Sequence, residues 1–166
     1  SAEKLGIKFY DRNIIYLTAK KYGFSEKYIE ENEEQSIKSG IYYANDDKLF
    51  ESESKVIEQI ANKESCVIVG RCADYVLRNN KDVIKIFLYS DIESKVKRAV
   101  KYYGLDKETA EKEIEKINKQ RAKHYNHFTN KKWDSYENYD LSINVDRIGV
   151  EDTSEMIKNI IINENK

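Results

Sequence analysis

An unbroken run of four apolar residues, Cys66–Val69, is the feature that most constrains how this chain can fold. A run without a polar face is typical of a strand buried on both faces in a parallel sheet covered by helices. Gly70 ends the run, Arg71 follows at once, and a short helix is predicted from Ala73. Because ligands of open α/β sheets bind beyond the carboxyl ends of the strands, Arg71 is predicted at a ligand site. The alternative is a surface arginine at a helix start.

Arginine is scarce in this chain, which has 29 Lys and Arg in total but only six Arg. Such a chain is expected to keep Arg where its planar fork binds a phosphate or a carboxylate with two hydrogen bonds. Asp11 and Arg12 follow a second strand-like run, Ile7–Tyr10. Two strand ends, each followed by Arg, predict one shared anion site formed by Arg12 and Arg71. Asp11 belongs to that site, caps the next helix, or does both.

Composition excludes several function classes. The 166 residues are enough for one domain with a real core, and the net charge of −1 provides no basic field for nucleic acid. No apolar run approaches the roughly 18 residues of a membrane span, and no signal-peptide pattern is present, so a cytoplasmic protein without membrane contact is expected. The two Cys are expected to be reduced thiols. His124 and His127 lack further ligands nearby, so no metal site is predicted.

Strand and helix patterns alternate along the chain. Strands are predicted at Ile7–Tyr10, Cys66–Gly70, Val83–Tyr89 and Tyr139–Val145. Helices are predicted from Ile14 to Gly23, from Ser25 through Ile29, over Asp46–Asn62, from Ser90 in a capping box with Glu93, after Asp106, and around Met156. The stretch from Ser36 to Asn45 is predicted to be a loop or a broken helix. This alternation predicts the α/β class, with a parallel sheet flanked by helices on both faces.

The order of GRCAD, KIFLYS, QRAKHY and YDLSINVDRIGVED resembles the cytidylate kinase-like family, which belongs to the P-loop nucleoside monophosphate kinases. The resemblance covers nearly the whole chain. It implies a P-loop kinase-like three-layer sandwich, with one domain over residues 1–166, an acceptor-binding insertion around 24–63 and a lid around 118–135. The implied activity transfers the γ-phosphate of ATP, with Mg²⁺, to CMP or dCMP. The alternative is a catalytically silent module of that fold, which binds a nucleotide or a partner protein.

The resemblance also implies roles for individual residues. Arg12 and Arg71 would bind the acceptor phosphate, and Asp11 would orient Arg12 or the acceptor sugar. Asp74 would contact the base or the sugar. Arg121, near the end of a long charged helix, would be the catalytic lid arginine, which stabilises charge during transfer. The alternative for Arg121 is a solvated arginine at a helix end. The expected partners are small nucleotides, and nothing in the sequence excludes a homo-oligomer.

Two departures from the family pattern stand out. Bacterial cytidylate kinases carry Asp-Gly-Arg-Asp where this chain has Val69-Gly70-Arg71-Cys72, which leaves the base preference open. None of the six Gly forms the GxxxxGK[ST] loop that cradles donor phosphates. The family's first strand and phosphate loop are therefore expected to lie outside these 166 residues. A protein made only of Ser1–Lys166 is expected to have a gap in its sheet between Cys66–Gly70 and Val83–Tyr89, and not to phosphorylate CMP.

Overall fold

The computed structural model describes residues 1–11, 15 and 47–164 of the chain. Their elements, in chain order, are α1 (Ala2–Leu5), β1 (Lys8–Tyr10), α2 (Asp47–Lys63), β2 (Cys66–Ile68), α3 (Ala73–Val76), β3 (Ile86–Tyr89), α4 (Ile92–Tyr103), α5 (Lys107–Thr129), a 3₁₀ turn (Tyr136–Asn138), β4 (Leu141–Asn144), α6 (Val145–Ile148) and α7 (Val150–Glu164). The protein is thus a mixed α/β structure. The predicted helices at Ile14–Gly23 and Ser25–Ile29, and the predicted loop at 36–45, lie outside the described residues apart from Ile15.

The strands form two small parallel ladders. Strand β1 pairs with β2, with Tyr10 opposite Ile68. Strand β3 pairs with β4, with Ile86 opposite Leu141. The predicted parallel pairing is therefore confirmed, although each strand is shorter than its sequence pattern suggested. Within residues 1–11, 15 and 47–164 no ladder joins β2 to β3, and the three-layer sandwich remains a prediction.

The expectation that Cys66–Val69 is buried on both faces is wrong for the described residues. Strand β2 is half-buried along its whole length, and Val69 just beyond it is 50% exposed. Leu88 in β3 is exposed to a similar extent, at 51%. The physical reason is that β2 and β3 each have one hydrogen-bonded neighbour in the described part of the chain. Their apolar side chains are therefore covered incompletely.

The predicted cap of α4 is also corrected. The N-cap residue is Asp91, whose side chain accepts a hydrogen bond from the backbone N–H of Ser94 at 2.7 Å. Ser90, which the capping-box pattern favoured, lies one residue earlier and uses its hydroxyl elsewhere. The shift frees Ser90 for a contact at the ends of the strands, described below.

The core lies between α2 and the segment that follows β2. Its buried members are Ile15, Val56, Ile57, Ala73 and Leu77. The apolar stripe of α2 therefore packs against α3, as its helical periodicity predicts. This packing brings the middle of α2 close to the turn between β2 and α3, where the first candidate site residues lie.

Candidate functional site

The turn between β2 and α3 has an unusual backbone. Gly70, Arg71 and Cys72 are three consecutive residues with positive φ angles of 81°, 56° and 55°. Glycine adopts this region freely, whereas other residues pay about 1–2 kcal/mol each. Such conformations persist only where the surrounding structure enforces them, and they cluster at functional sites.

The side chain of Arg71 turns inward and binds Glu53 of α2. Its Nε donates to Oε2 of Glu53 at 2.8 Å, and its Nη2 contacts Oε1 of the same carboxylate. Only 2% of the Arg71 side chain is exposed, and the Glu53 side chain is fully buried. Arg71 is therefore not a surface arginine, and that alternative is wrong. Removing one partner of such a buried pair typically costs about 3–5 kcal/mol.

Sequence reasoning missed Glu53, although the sequence carried a signal for it. Glu53 lies on the same helix face as Leu49, Val56 and Ile57, all of which are buried. An acidic residue in the middle of an apolar stripe must find a cationic partner, because an unpaired buried charge is very unfavourable. The stripe alone could not show that the partner is Arg71, since that requires the tertiary arrangement.

Asp74, in the first turn of α3, accepts a hydrogen bond from the hydroxyl of Tyr125 on α5 at 2.6 Å. Burial raises the pKa of Asp74, while the bond from Tyr125 and nearby backbone N–H groups oppose the shift. Burial, together with the bond to Asp74, also raises the pKa of Tyr125. The predicted contact of Asp74 with a base or sugar stays a prediction.

Cys72 lies between these charged groups. Its thiol is buried, and burial raises its pKa to about 12, with Asp74 and Glu53 adding to the rise and Arg71 opposing it. The thiolate is therefore strongly disfavoured at neutral pH. Because the thiolate is the reactive form of cysteine, the raised pKa and the burial of Cys72 disfavour a nucleophilic role.

Asp11 lies directly after β1, next to the end of β2. The backbone N–H of Val69 donates to the carbonyl of Tyr10 at 2.9 Å, which holds the carboxyl ends of the two strands side by side. The carbonyl of Asp11 accepts from the backbone N–H of Ile15 at 3.1 Å, as at the start of a helical turn. This backbone bond fits a helix start at Asp11, and the role of Asp11 at the anion site stays a prediction. Arg12 lies outside the described residues.

Arg121 lies on α5 with its guanidinium carbon 6.0 Å from the ring centre of Trp133. Trp133 in turn meets Phe87 of β3 edge-to-face, at 5.4 Å between ring centres. Farther along α5, Phe128 stacks on Phe50 of α2 at 4.1 Å. The segment predicted as a lid, 118–135, is therefore packed against both α2 and β3. Its motion as a lid is an untested prediction.

A second polar cluster, missed by sequence reasoning, joins the carboxyl ends of β3 and β4. Asp146 accepts from the hydroxyl of Ser90 at 2.8 Å, the backbone N–H of Asp91 at 2.7 Å and Nη1 of Arg98 at 3.0 Å. Burial raises the pKa of Asp146, but these hydrogen bonds outweigh it and hold the pKa well below its usual range. The spacing of eight residues between Ser90 and Arg98 could not show that both meet Asp146.

The described residues lack two features, a metal-binding cluster and a helix suited to a membrane. Nowhere in residues 1–11, 15 and 47–164 do three His, Cys, Asp or Glu side chains come together as a metal site. In the same part of the chain, no helix combines the length and apolarity needed to cross a membrane.

Comparison with known proteins identifies the family. A sequence profile of the cytidylate kinase-like family matches residues 2–147. A search of curated proteins found no match. The crystal structure of an uncharacterized protein from Eubacterium ventriosum is similar, with 28% identity and a TM-score of 0.76, and the match covers 98% of this chain and 87% of that one. The chain belongs to the cytidylate kinase-like family.

Proposed function

We propose that the protein is an ATP-dependent nucleoside monophosphate kinase that transfers the γ-phosphate of ATP to CMP or dCMP. Membership of the cytidylate kinase-like family supports a kinase-like fold. The observation that carries the proposal is the guanidinium of Arg71, held by Glu53 at the carboxyl end of a parallel strand. That edge of a parallel sheet is where ligands bind, and an Arg there suits an acceptor phosphate.

Phosphoryl transfer depends mainly on bringing two polyanions together and neutralising the charge on the moving group. In the proposed site, Arg71 and Arg12 bind the acceptor phosphate, and Asp11 orients Arg12 or the acceptor sugar. Asp74 contributes to the base or sugar pocket, and Arg121 meets the charge that develops during transfer. ATP is the proposed donor, and its Mg²⁺ would be carried mainly by the phosphates, as is usual in kinases.

A catalytically silent nucleotide- or partner-binding module is the second candidate. One observation favours it, namely that the guanidinium of Arg71 is already bound by Glu53 and only 2% of the Arg71 side chain is exposed. In such a module the ion pair stabilises the fold, and the cleft binds a nucleotide or a partner protein without phosphoryl transfer.

Two measurements separate the candidates. Calorimetric titration with CMP, dCMP, UMP, AMP and GMP tests acceptor binding and its base preference. A coupled assay of ADP release, with ATP and magnesium chloride, tests turnover by the protein as its gene encodes it. The proposal expects turnover of CMP or dCMP, abolished by Arg71→Ala. Nucleotide binding without turnover would favour the silent module.

A further inference from the structure

Glu53 is a buried charge that neither reacts nor contacts a nucleotide in the proposed phosphoryl transfer. It lies in the middle of a helix face that packs into the core, where an apolar side chain would bury more favourably. Replacing a buried ion pair by apolar residues is often neutral or stabilising. Stability alone is therefore a weak reason for a charged pair at this position, which points to a role for the charge itself.

The geometry of the pair constrains Arg71 closely. Glu53 binds the edge of the guanidinium formed by Nε and Nη2, so the plane and direction of the fork are both set. An Arg side chain is long and loses much rotamer entropy when it is fixed. At Arg71 that ordering is already imposed in the protein, as is the left-handed backbone with φ of 56°. A ligand that binds this guanidinium does not have to organise it.

We infer that Glu53 is a positioning residue, which holds Arg71 ready for the phosphate of the acceptor nucleotide. This inference rests on the proposed function. A phosphate binds a guanidinium best through two oxygens along one edge. The bonds from Nε and Nη2 to Glu53 fix the direction in which the Nη1–Nη2 edge points. Only 2% of the Arg71 side chain is exposed, so acceptor binding would have to displace groups that now cover it. Glu53 is fixed in the core and would keep the guanidinium in place during that displacement.

The test measures how much of nucleotide affinity depends on the phosphate. Wild type, Glu53→Gln, Arg71→Lys and Glu58→Gln are titrated with CMP and with cytidine by calorimetry, using displacement titrations for the weaker ligand. Glu58 is the matched control, because it is an exposed glutamate on the same helix. We expect Glu53→Gln and Arg71→Lys each to weaken CMP binding at least about tenfold, with cytidine binding nearly unchanged. Glu58→Gln should bind both ligands as the wild type does. A merely structural role of Glu53 would weaken both ligands alike.

The outcomes that overturn the inference are distinct from those that overturn the proposed function. No binding of CMP or of the other monophosphates by the wild type overturns both. CMP binding weakened by Arg71→Lys but not by Glu53→Gln leaves the proposed function standing and removes Glu53 from it. If Glu53→Gln does not fold, Glu53→Asp keeps the charge and shortens the reach by one methylene. Normal CMP affinity of Glu53→Asp would then overturn the inference, and a loss specific to CMP would support it.

Discussion

The hydroxyl of Tyr125 lies 2.6 Å from Oδ2 of Asp74 and so joins the long helix α5 to the turn after β2. Two segments that the sequence assigned to different tasks, an acceptor site and a lid, are thereby in direct contact. Tyr125 is buried, and the neighbouring ring of Phe128 stacks on α2. Any opening of the segment 118–135 has to break these contacts first.

Replacing Tyr125 by Phe should destabilise the protein. The change keeps the ring and removes the donor, so the buried carboxylate of Asp74 loses a hydrogen bond. Bonds to charged groups contribute about 1.5–3 kcal/mol, and a loss of that size in the free energy of unfolding is expected at pH 7. Urea denaturation of the wild type and of Tyr125→Phe measures this difference in the free energy of unfolding. Tyr136→Phe, at an exposed position, is the control, and equal losses in the two variants would contradict the assignment.

The pH dependence of stability should reveal the environment of Asp74. Burial raises its pKa above the usual 3.8, so the folded state holds the proton more tightly than the unfolded state does. Asp74 therefore adds stability below its unfolded pKa, and that contribution is lost as the pH rises through the folded pKa. Asp74→Asn removes this loss, so the variant should gain stability relative to wild type as the pH increases from 3.5 to 7. Urea denaturation at several pH values provides the comparison, with the exposed Asp82→Asn as control. A relative loss over that range would mean that hydrogen bonding outweighs burial.

The two cysteines should differ in their reactivity. Burial raises the pKa of Cys72 to about 12, whereas the Cys66 thiol is only half-buried and its pKa rises less far. At pH 8 the Cys72 thiol is therefore ionised far less than the Cys66 thiol, and alkylation needs the thiolate. Iodoacetamide should therefore label Cys66 well before Cys72 in the folded protein, and both at similar rates in urea. Peptide mass spectrometry over time reads out both sites. Faster labelling of Cys72 would show that its surroundings open readily.

Arg121→Ala should lower the rate of phosphoryl transfer more than it weakens nucleotide binding, if the proposed kinase activity holds. The charge that Arg121 meets in the proposal develops only during transfer, so its loss acts on the transition state. Steady-state kinetics on an active preparation give kcat and KM separately. Arg78→Ala is a suitable control, because Arg78 is exposed and lies over the ring of Tyr75. A rise in KM with unchanged kcat would make Arg121 a simple binding residue.

The sequence predicted the helices and strands better than it predicted how deeply each of them is buried. Local patterns sufficed for the parallel strands and for helices such as α2 and α7, because period and apolar runs are encoded residue by residue. The burial of β2 was misjudged, since the exposure of Val69 depends on which strands lie beside it. A run of apolar residues does not specify which strands and helices pack beside it.

The site was predictable only in part, for a related reason. Arg71 was found because its type and its place after a strand are both visible in the sequence. Glu53 and Asp146 were missed because each is defined by a partner far away in the chain. The contact between Glu53 and Arg71 spans 18 residues, and that between Arg98 and Asp146 spans 48. Such pairs arise from the packing of helices on strands, which no local pattern specifies.

The parallel ladders have a consequence for how the protein is made in the cell. Lys85, just before β3, bonds to Asp140 just before β4, and these residues are 55 positions apart. Lys8 in β1 likewise contacts Glu64, 56 positions away. At about 5–20 residues per second of synthesis, each first strand emerges from the ribosome roughly 3–11 seconds before its partner emerges. During that interval its backbone edge is open to other chains, so the yield of folded protein should depend on chaperone supply and growth temperature.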